Sequence, residues 1–147
     1  MVQLRNMTER PQVFYAKEQR LDVAEFRQVL MDSGLGSHRP VEDDTRLAIM
    51  LASANLILTA RLGAPAGPLV GVARGVTDFA WCCYISELAV AQAAQGLGLG
   101  KGLLDAVRRE LGPQVSIILA SVPEAVRFYE RIGMARVPDA FWFVREL

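Results

Sequence analysis

The sequence lacks a hydrophobic run long enough to cross a membrane. Its apolar residues make up 52% of the chain, but they occur in segments of strand or helix length, whereas a membrane span needs about 20 apolar residues. The first ten residues, MVQLRNMTER, are polar and of mixed charge, so they also lack the apolar segment of a secretory signal. We therefore expect a soluble, cytoplasmic protein with no membrane partner.

The sequence also lacks an excess of charge and is poor in cysteine and histidine. Lys plus Arg (16) balances Asp plus Glu (16), so no overall field would attract nucleic acid, and we expect a small-molecule partner. The two cysteines, Cys82 and Cys83, would point to opposite faces of a strand and make a poor disulfide pair. The one histidine, His38, is expected either to line an acceptor pocket or to lie exposed in a loop. We predict no metal site.

The pattern of apolar residues predicts one α+β domain over residues 1–147. This length is about that of a single domain. In chain order, the periodicities predict a strand, two helices, three strands, a helix, a strand, a helix and two strands. Asp22, with Glu25 three positions later, forms a capping-box pattern at the first helix, and the acidic run 42–44 leads into the second helix.

Five segments belong to the second half of this order. TDFAWCCYISELAV is almost wholly apolar, which favours a central strand covered on both faces, and VSIILA is predicted to be a buried strand. SVPEAVRFYERIG is predicted to be the fourth helix, with Ser121 and Glu124 as a capping box and Gly133 at its end. MARV and AFWFVREL are predicted to be two closing strands.

The stretch VAQAAQGLGLGKGLL places four glycines, at positions 96, 98, 100 and 102, between a strand and a helix. A helix N-terminus leaves about four backbone N–H groups unpaired and carries a partial positive charge, so glycines there let the backbone approach an anionic ligand. The spacing fits neither the dinucleotide-binding fingerprint nor the P-loop. It does fit Q/R-x-x-G-x-G/A, with Gln95, Gly98 and Gly100 in the defined positions.

This motif resembles the acyl-CoA-binding motif of the GNAT N-acetyltransferase superfamily, and SVPEAVRFYERIGM is similar to a second element of that family. The resemblance runs from about Asp78 to Leu147, while the N-terminal third matches only in its order of elements. It implies the acyl-CoA N-acyltransferase fold, with a mixed central sheet of about six or seven strands and about four helices. It also implies acetyl-CoA as co-substrate, with pantetheine bound along the central strand. The implied cofactor-binding residues are Leu88, Ala89, Val90, Gln95, Gly96, Leu97, Gly98, Leu99, Gly100, Lys101 and Ser121.

The resemblance also implies catalytic roles. Tyr129 would protonate the departing thiolate of CoA, although an aromatic residue at this spacing could instead belong to the core. Glu87 would act as a base that removes a proton from the amine, or it is only a polar residue where the sheet opens to solvent. A backbone N–H near Leu88 or Ala89 would stabilise the oxyanion. Ser121 would lie near the cofactor, or its capping role alone explains it.

The acceptor is left open by the sequence. The run GVARGVTDFAWCCYISELAV together with FYERIGM looks most like small bacterial members grouped with arylalkylamine-type acetyltransferases, which favours a small amine with an apolar body. Acetylation of a protein or peptide amine, and a CoA-binding module without turnover, are the alternatives. The resemblance also implies a homodimer, because members of the family commonly form dimers. Acyl-chain length and oligomeric state are not determined by the sequence.

Overall fold

A computed structural model describes residues 10–147 of the chain. The strands are β1 (Val13–Lys17), β2 (Leu56–Leu62), β3 (Leu69–Thr77), β4 (Cys82–Val90) and β5 (Ser116–Leu119), and the helices are α1 (Val23–Ser33), α2 (Asp44–Ser53), α3 (Leu99–Leu111) and α4 (Val126–Arg131). Their order agrees with the predicted order as far as the fourth helix. Most of the N-terminal segment interpreted above lies outside the described residues.

The five strands form one mixed sheet in the order β1-β2-β3-β4-β5. Neighbours from β1 to β4 are antiparallel, and β4 and β5 are parallel. Helices α1 and α2 pack on one face around Phe26 and Leu47, while α3 packs on the other face through Leu103 and Val107. Two helical layers on a mixed sheet confirm the predicted α+β class. No helix in the described part of the chain is both long and apolar enough to span a bilayer.

One of the two predicted helix N-caps agrees with the structure, and α2 is capped from the acidic run that leads into it. The Asp22 carboxylate accepts a hydrogen bond from the Glu25 backbone N–H at 3.2 Å, and Asp43 caps α2 in the same way. The predicted Ser121 cap is wrong, because its hydroxyl donates to the Val122 carbonyl oxygen. A 3₁₀ turn from Pro123 to Ala125 precedes α4 and displaces the helix start away from the serine.

A β-bulge reverses the direction of side chains partway along β4. Arg74 of β3 pairs with Glu87, but the next residue, Gly75, pairs with Ile85, so Ser86 is the extra residue of the bulge. Before the bulge, Ile85 packs in the layer formed with α3. After it, Ala89 packs in the layer formed with α1 and α2. Because a bulge shifts the alternation by one residue, Glu87 is directed toward α1 and α2.

The environment of the last two strands differs from the prediction. β4 is an interior strand, but it lies next to the edge strand β5 rather than in the middle of the sheet. Its residues alternate between buried and exposed or half-buried positions, so the expectation that both of its faces are covered is wrong. β5 was expected to be buried, but its residues are exposed or half-buried. The apolar run was a poor guide here, because burial depends on which elements cover each face.

The two predicted closing strands are absent from the described residues, so the sheet has five strands rather than six or seven. Residues 134–147 form no helix or strand. Phe141, Trp142 and Phe143 are 94%, 80% and 105% exposed. Their apolar and aromatic composition favours a strand, but a strand also needs a neighbour that pairs with its backbone N–H and C=O groups. The sequence pattern does not supply that neighbour.

Tryptophan fluorescence offers a direct check on this exposed C-terminal segment. The sequence has two tryptophans, and Trp81 and Trp142 are 76% and 80% exposed. We expect emission typical of solvent-exposed indole and efficient quenching by acrylamide. The Trp81→Phe and Trp142→Phe variants separate the two signals. Blue-shifted, poorly quenched emission from Trp142 in the Trp81→Phe variant would contradict the exposed placement of this segment.

Candidate active site

A cleft opens in the sheet where β4 and β5 separate. In the described structure the two strands pair from Cys82 to Ile85 of β4, while β4 continues to Val90. The Ala91 N–H donates to the Val70 carbonyl oxygen at 2.8 Å. Because backbone groups alternate in direction along a strand, the peptide groups of Leu88 and Val90 face the cleft. Those of Ala89 face β3, so Leu88 is the better placed of the two predicted oxyanion donors.

The turn from β4 into α3 is shaped by two glycines in a left-handed conformation. Gly96 and Gly98 have φ values of +87° and +77°, which residues with a side chain rarely adopt. A Cβ atom added at either glycine would have no atom within 4 Å, so the space beside the turn is open. The Gln95 side-chain amide donates to the Val90 carbonyl oxygen at 3.2 Å and ties the turn to the end of β4.

Helix α3 starts immediately after this turn without a side-chain cap. Its N-cap residue is Gly98, and no side-chain hydrogen bond caps the helix. The first backbone N–H groups of a helix have no partners within the helix. They are therefore available to an external partner at the positive end of a helix of 13 residues, where an anion would be stabilised.

The other two glycines have a packing role that the sequence interpretation missed. A Cβ atom at Gly100 would lie 2.8 Å from Cζ of Phe128 in α4, and one at Gly102 would collide with the hydroxyl oxygen of Tyr15 in β1. These glycines let α3 approach its neighbours closely. The expectation that ligand contact explains all four glycines is therefore wrong for Gly100 and Gly102 and is kept only for Gly96 and Gly98. The backbone of Gly100 still belongs to the uncapped first turn of α3.

Three of the remaining predicted cofactor residues, Leu97, Leu99 and Lys101, lie in this turn or in the first turn of α3. Leu97 lies between the two left-handed glycines, and the Leu99 side chain is buried in the core, so only its backbone is available to a ligand. The Lys101 ammonium pairs with Asp105 at 2.9 Å, and both side chains are exposed. Exposed pairs of this kind are weak, so Lys101 can still contribute charge near the turn. Ser121 is exposed in the segment after β5.

The Glu87 carboxylate is fully buried and lies between two arginines. Its side chain has no exposed surface, and it accepts hydrogen bonds from Arg39 Nε at 2.8 Å, from the Ser86 hydroxyl at 2.6 Å and from Arg74 Nε. Burial by itself raises the pKa of Glu87, but the hydrogen bond and charge of Arg74, helped by Ser86 and Arg39, outweigh it and hold the pKa below its ordinary value. A carboxylate that is occupied in this way is a weak base.

This geometry favours a positioning role for Glu87 over direct contact with a substrate. Its role as the base that takes a proton from the amine stays a prediction. Arg39, which approaches Glu87 from the segment after α1, is the residue that the sequence interpretation missed. It lies 48 positions from Glu87, and no local periodicity indicates such a pairing.

Tyr129 lies on α4 and lines a small cleft of about 50 Å³ between the ends of β4 and β5. Leu88, Leu119 and Arg39 also line this cleft. Burial raises the pKa of Tyr129 above its ordinary value, so its phenol remains protonated at neutral pH. None of the six residues of α4 is fully buried. Tyr129 is thus half-buried at the cleft, where it could donate a proton.

Other candidate groups do not form a site in the described residues. Cys82 is exposed and Cys83 is buried, and neither forms a disulfide. Burial raises the pKa of Cys83, which disfavours the nucleophilic thiolate. His38 is exposed, and no group of three or more metal-ligating side chains occurs in residues 10–147. A larger cavity of about 260 Å³ lies between β1 and α3 and contains none of the predicted site residues.

Comparisons with known proteins identify acetyltransferases as relatives of this chain. Residues 41–142 match the model of the acetyltransferase (GNAT) domain. The chain is 28% identical over 140 residues to an uncharacterized N-acetyltransferase of Pyropia yezoensis, covering 90% of this chain and 78% of the relative. It is 31% identical over 123 residues to the chloroplastic serotonin N-acetyltransferase 2 of rice, covering 82% of this chain and 60% of the relative. A crystal structure of a candidate acetyltransferase from Deinococcus radiodurans R1 superposes with a TM-score of 0.70 at 26% identity, covering 95% and 94% of the two chains.

Proposed function

The chain belongs to the GNAT acetyltransferase family, and from this premise we propose that it transfers the acetyl group of acetyl-CoA to a small primary amine in a ternary complex. The observation that carries the proposal is the uncapped start of α3 beside the open edge of β4. This edge leads to the cleft that Tyr129 lines. An extended thioester could therefore contact three features in succession: the turn before α3, the open edge of β4 and the phenol of Tyr129.

We assign the diphosphate of CoA to the backbone N–H groups at the start of α3. Gly96 and Gly98 leave space for it, because a Cβ atom at either position would have no neighbour within 4 Å. From there the pantetheine would run along β4 and bond to the Leu88 carbonyl oxygen and the Val90 N–H, as an additional strand would. The thioester then lies near Tyr129.

The proposed reaction is a direct transfer. The amine nitrogen attacks the thioester carbonyl carbon, and the Leu88 N–H stabilises the oxyanion of the tetrahedral intermediate. The C–S bond then breaks, its electron pair stays on sulfur, and the phenol of Tyr129 protonates the thiolate. The proton lost by the amine balances the one that sulfur gains. Because the Glu87 carboxylate is enclosed, it would take that proton only through water.

A small amine with an apolar body is the acceptor that the cleft supports best. Apart from Arg39, Ser86 and Tyr129, all the residues that line the cleft are apolar, among them Leu35 and Leu119. The rice relative is named a serotonin N-acetyltransferase, and serotonin is an amine of this class. Release of free thiol from acetyl-CoA, measured with a panel of amines, tests the proposal. Binding of acetyl-CoA without amine-dependent thiol release would instead favour a non-catalytic CoA-binding module.

The phosphate assignment makes a prediction for Gly98→Ala. The substitution places a methyl group in the open space and disfavours the φ of +77°, so it misdirects the first N–H groups of α3. A charge-assisted hydrogen bond contributes about 1.5–3 kcal/mol, and we therefore expect the Kd for acetyl-CoA to rise by about 10- to 100-fold. Calorimetric titration measures the change.

Gly63→Ala is the matched control for this variant. Gly63 has a φ of +79° and also has no neighbour within 4 Å of an added Cβ, but it lies in the connection between β2 and β3. The two variants should lose similar amounts of stability, while Gly63→Ala keeps wild-type affinity. Equal losses of affinity in both variants would refute the phosphate assignment.

A further inference from the structure

We propose that Arg39 makes the acceptor side of the cleft discriminate against amines that carry a second positive charge. The inference deepens the proposed function and rests on it. It concerns a residue that neither the sequence motifs nor the comparisons assign, and it follows from the charges that meet at the β-bulge of β4.

Arg39 is fixed between the segment after α1 and the bulge. Its Nε donates to Glu87 at 2.8 Å, one terminal nitrogen donates to the Ser86 carbonyl oxygen at 2.6 Å, and the other donates to the His38 carbonyl oxygen at 2.9 Å. A guanidinium group has five N–H donors, so these three bonds leave two donors without a partner among the described residues. The Arg39 side chain is 22% exposed and lines the cleft together with Tyr129.

The charges around Glu87 do not cancel. Two guanidinium groups, those of Arg39 and Arg74, contact one carboxylate, so the group carries one excess positive charge. Glu87 is fully buried and the Arg74 side chain is 9% exposed, so the most exposed of the three charges is that of Arg39. Apart from Tyr129, Arg39 is the only ionisable residue among residues 10–147 that lines the cleft.

This excess charge acts on the acceptor in two ways. It favours the neutral form of the attacking amine, because a nearby like charge disfavours the ammonium form. It also repels any second ammonium group on the acceptor, whereas an apolar body or a hydroxyl or carboxylate oxygen would be accepted beside the two unpaired donors of Arg39. Repulsion between two cations near a protein surface is large enough for a discrimination of about tenfold or more.

The first test uses the wild-type protein and two acceptors with the same six-carbon chain, hexylamine and 1,6-diaminohexane. Thiol release from acetyl-CoA gives kcat/KM for each. We expect the monoamine to be preferred by about tenfold or more, after correction for the two amino groups of the diamine. Calorimetric binding of the same pair to the CoA-saturated protein gives a second readout that does not depend on turnover. Equal or better binding and turnover of the diamine would overturn the inference.

Three variants separate charge from structural support. Arg39→Gln should bring the preference for the monoamine close to unity, and Arg39→Lys, which keeps the charge, should retain it. Arg27→Gln is the control, because Arg27 holds the same segment through the Val41 carbonyl oxygen at 2.8 Å and pairs with Asp44, but it does not line the cleft. It should leave the preference unchanged.

The outcomes distinguish the two proposals. If no amine releases thiol, the proposed function fails, and the binding titrations with the same pair of amines still decide the charge inference. If thiol is released but Arg39→Gln keeps the wild-type preference, the function stands and the role of Arg39 is refuted. If Arg39→Gln does not fold, the charge effect is tested by comparing wild type with Arg39→Lys and Arg27→Gln. A loss of the preference for the monoamine in either variant would contradict a charge effect.

Discussion

Replacing Tyr129 with phenylalanine is expected to lower kcat by about 10²- to 10⁴-fold, the usual contribution of a general acid, without changing the Kd for acetyl-CoA. The substitution removes the proton donor but keeps the ring, and that ring packs edge-to-face on Phe128 with centroids 5.1 Å apart. Steady-state kinetics and calorimetric titration measure the two quantities. A wild-type kcat in this variant would remove Tyr129 from the mechanism.

The control for this variant is Tyr15→Phe. Burial raises the pKa of Tyr15 as it does that of Tyr129, but Tyr15 lines the separate cavity between β1 and α3. We expect this variant to keep its kcat. Because the raised pKa keeps the Tyr129 phenol protonated well above neutral pH, its loss of a proton should not lower wild-type activity until the pH exceeds about 10.

Replacing Glu87 with glutamine is expected to lower the free energy of unfolding by about 3–5 kcal/mol, since removal of one partner leaves the buried charge of Arg74 uncompensated. Chemical denaturation measures the loss. Glu130→Gln is the control, because Glu130 pairs with Arg136 on the surface, where the two side chains are 51% and 74% exposed. An exposed pair contributes no more than about 1 kcal/mol, so a similar loss in both variants would contradict the buried network.

The pH dependence of stability gives an independent test of the same network. The pKa of Glu87 is lower in the folded protein than its ordinary value of 4.5, so its stabilising contribution is complete above that value and is lost as the pH falls through the lower, folded pKa. Wild type should therefore lose more stability below about pH 4.5 than Glu87→Gln does. Parallel curves for the two proteins would show that Glu87 is not stabilised by its partners.

The same variant tests the predicted chemistry of Glu87. If Glu87 accepts the amine proton through water, kcat should fall in Glu87→Gln. The assay is run without denaturant and at a low temperature at which the variant is fully folded. An unchanged kcat would leave Glu87 with a positioning role alone, in agreement with the three side chains, those of Arg39, Arg74 and Ser86, that enclose its carboxylate.

Those parts of the site that depend on neighbouring residues could be predicted from the sequence. The glycine spacing after Gln95 predicted the turn from β4 into the start of α3, because glycine-rich turns and helix starts are local properties of the chain. The helical spacing and the motif around Tyr129 likewise placed this residue on a helix, and the structure has it at the cleft. These features follow from a few residues that are adjacent in the chain.

The parts that depend on distant residues could not be predicted. Arg39 contacts Glu87 across 48 positions, and the bulge at Ser86 arises from pairing with β3, so neither leaves a periodic signal in its own segment. The packing role of Gly102 depends on Tyr15 of β1. The C-terminal segment has the composition of a strand, but strand formation needs a paired neighbour, which composition does not specify.

The central claim is that backbone N–H groups at the start of α3 bind the diphosphate of acetyl-CoA. Calorimetric titration of wild type and Gly98→Ala with acetyl-CoA and with S-acetylpantetheine, which has the same thioester and pantetheine but lacks the diphosphate and the phosphorylated adenosine, tests it most directly. We predict that wild type binds the truncated thioester at least about tenfold more weakly, and that Gly98→Ala reduces the difference. Equal affinity of wild type for the two thioesters would contradict the account.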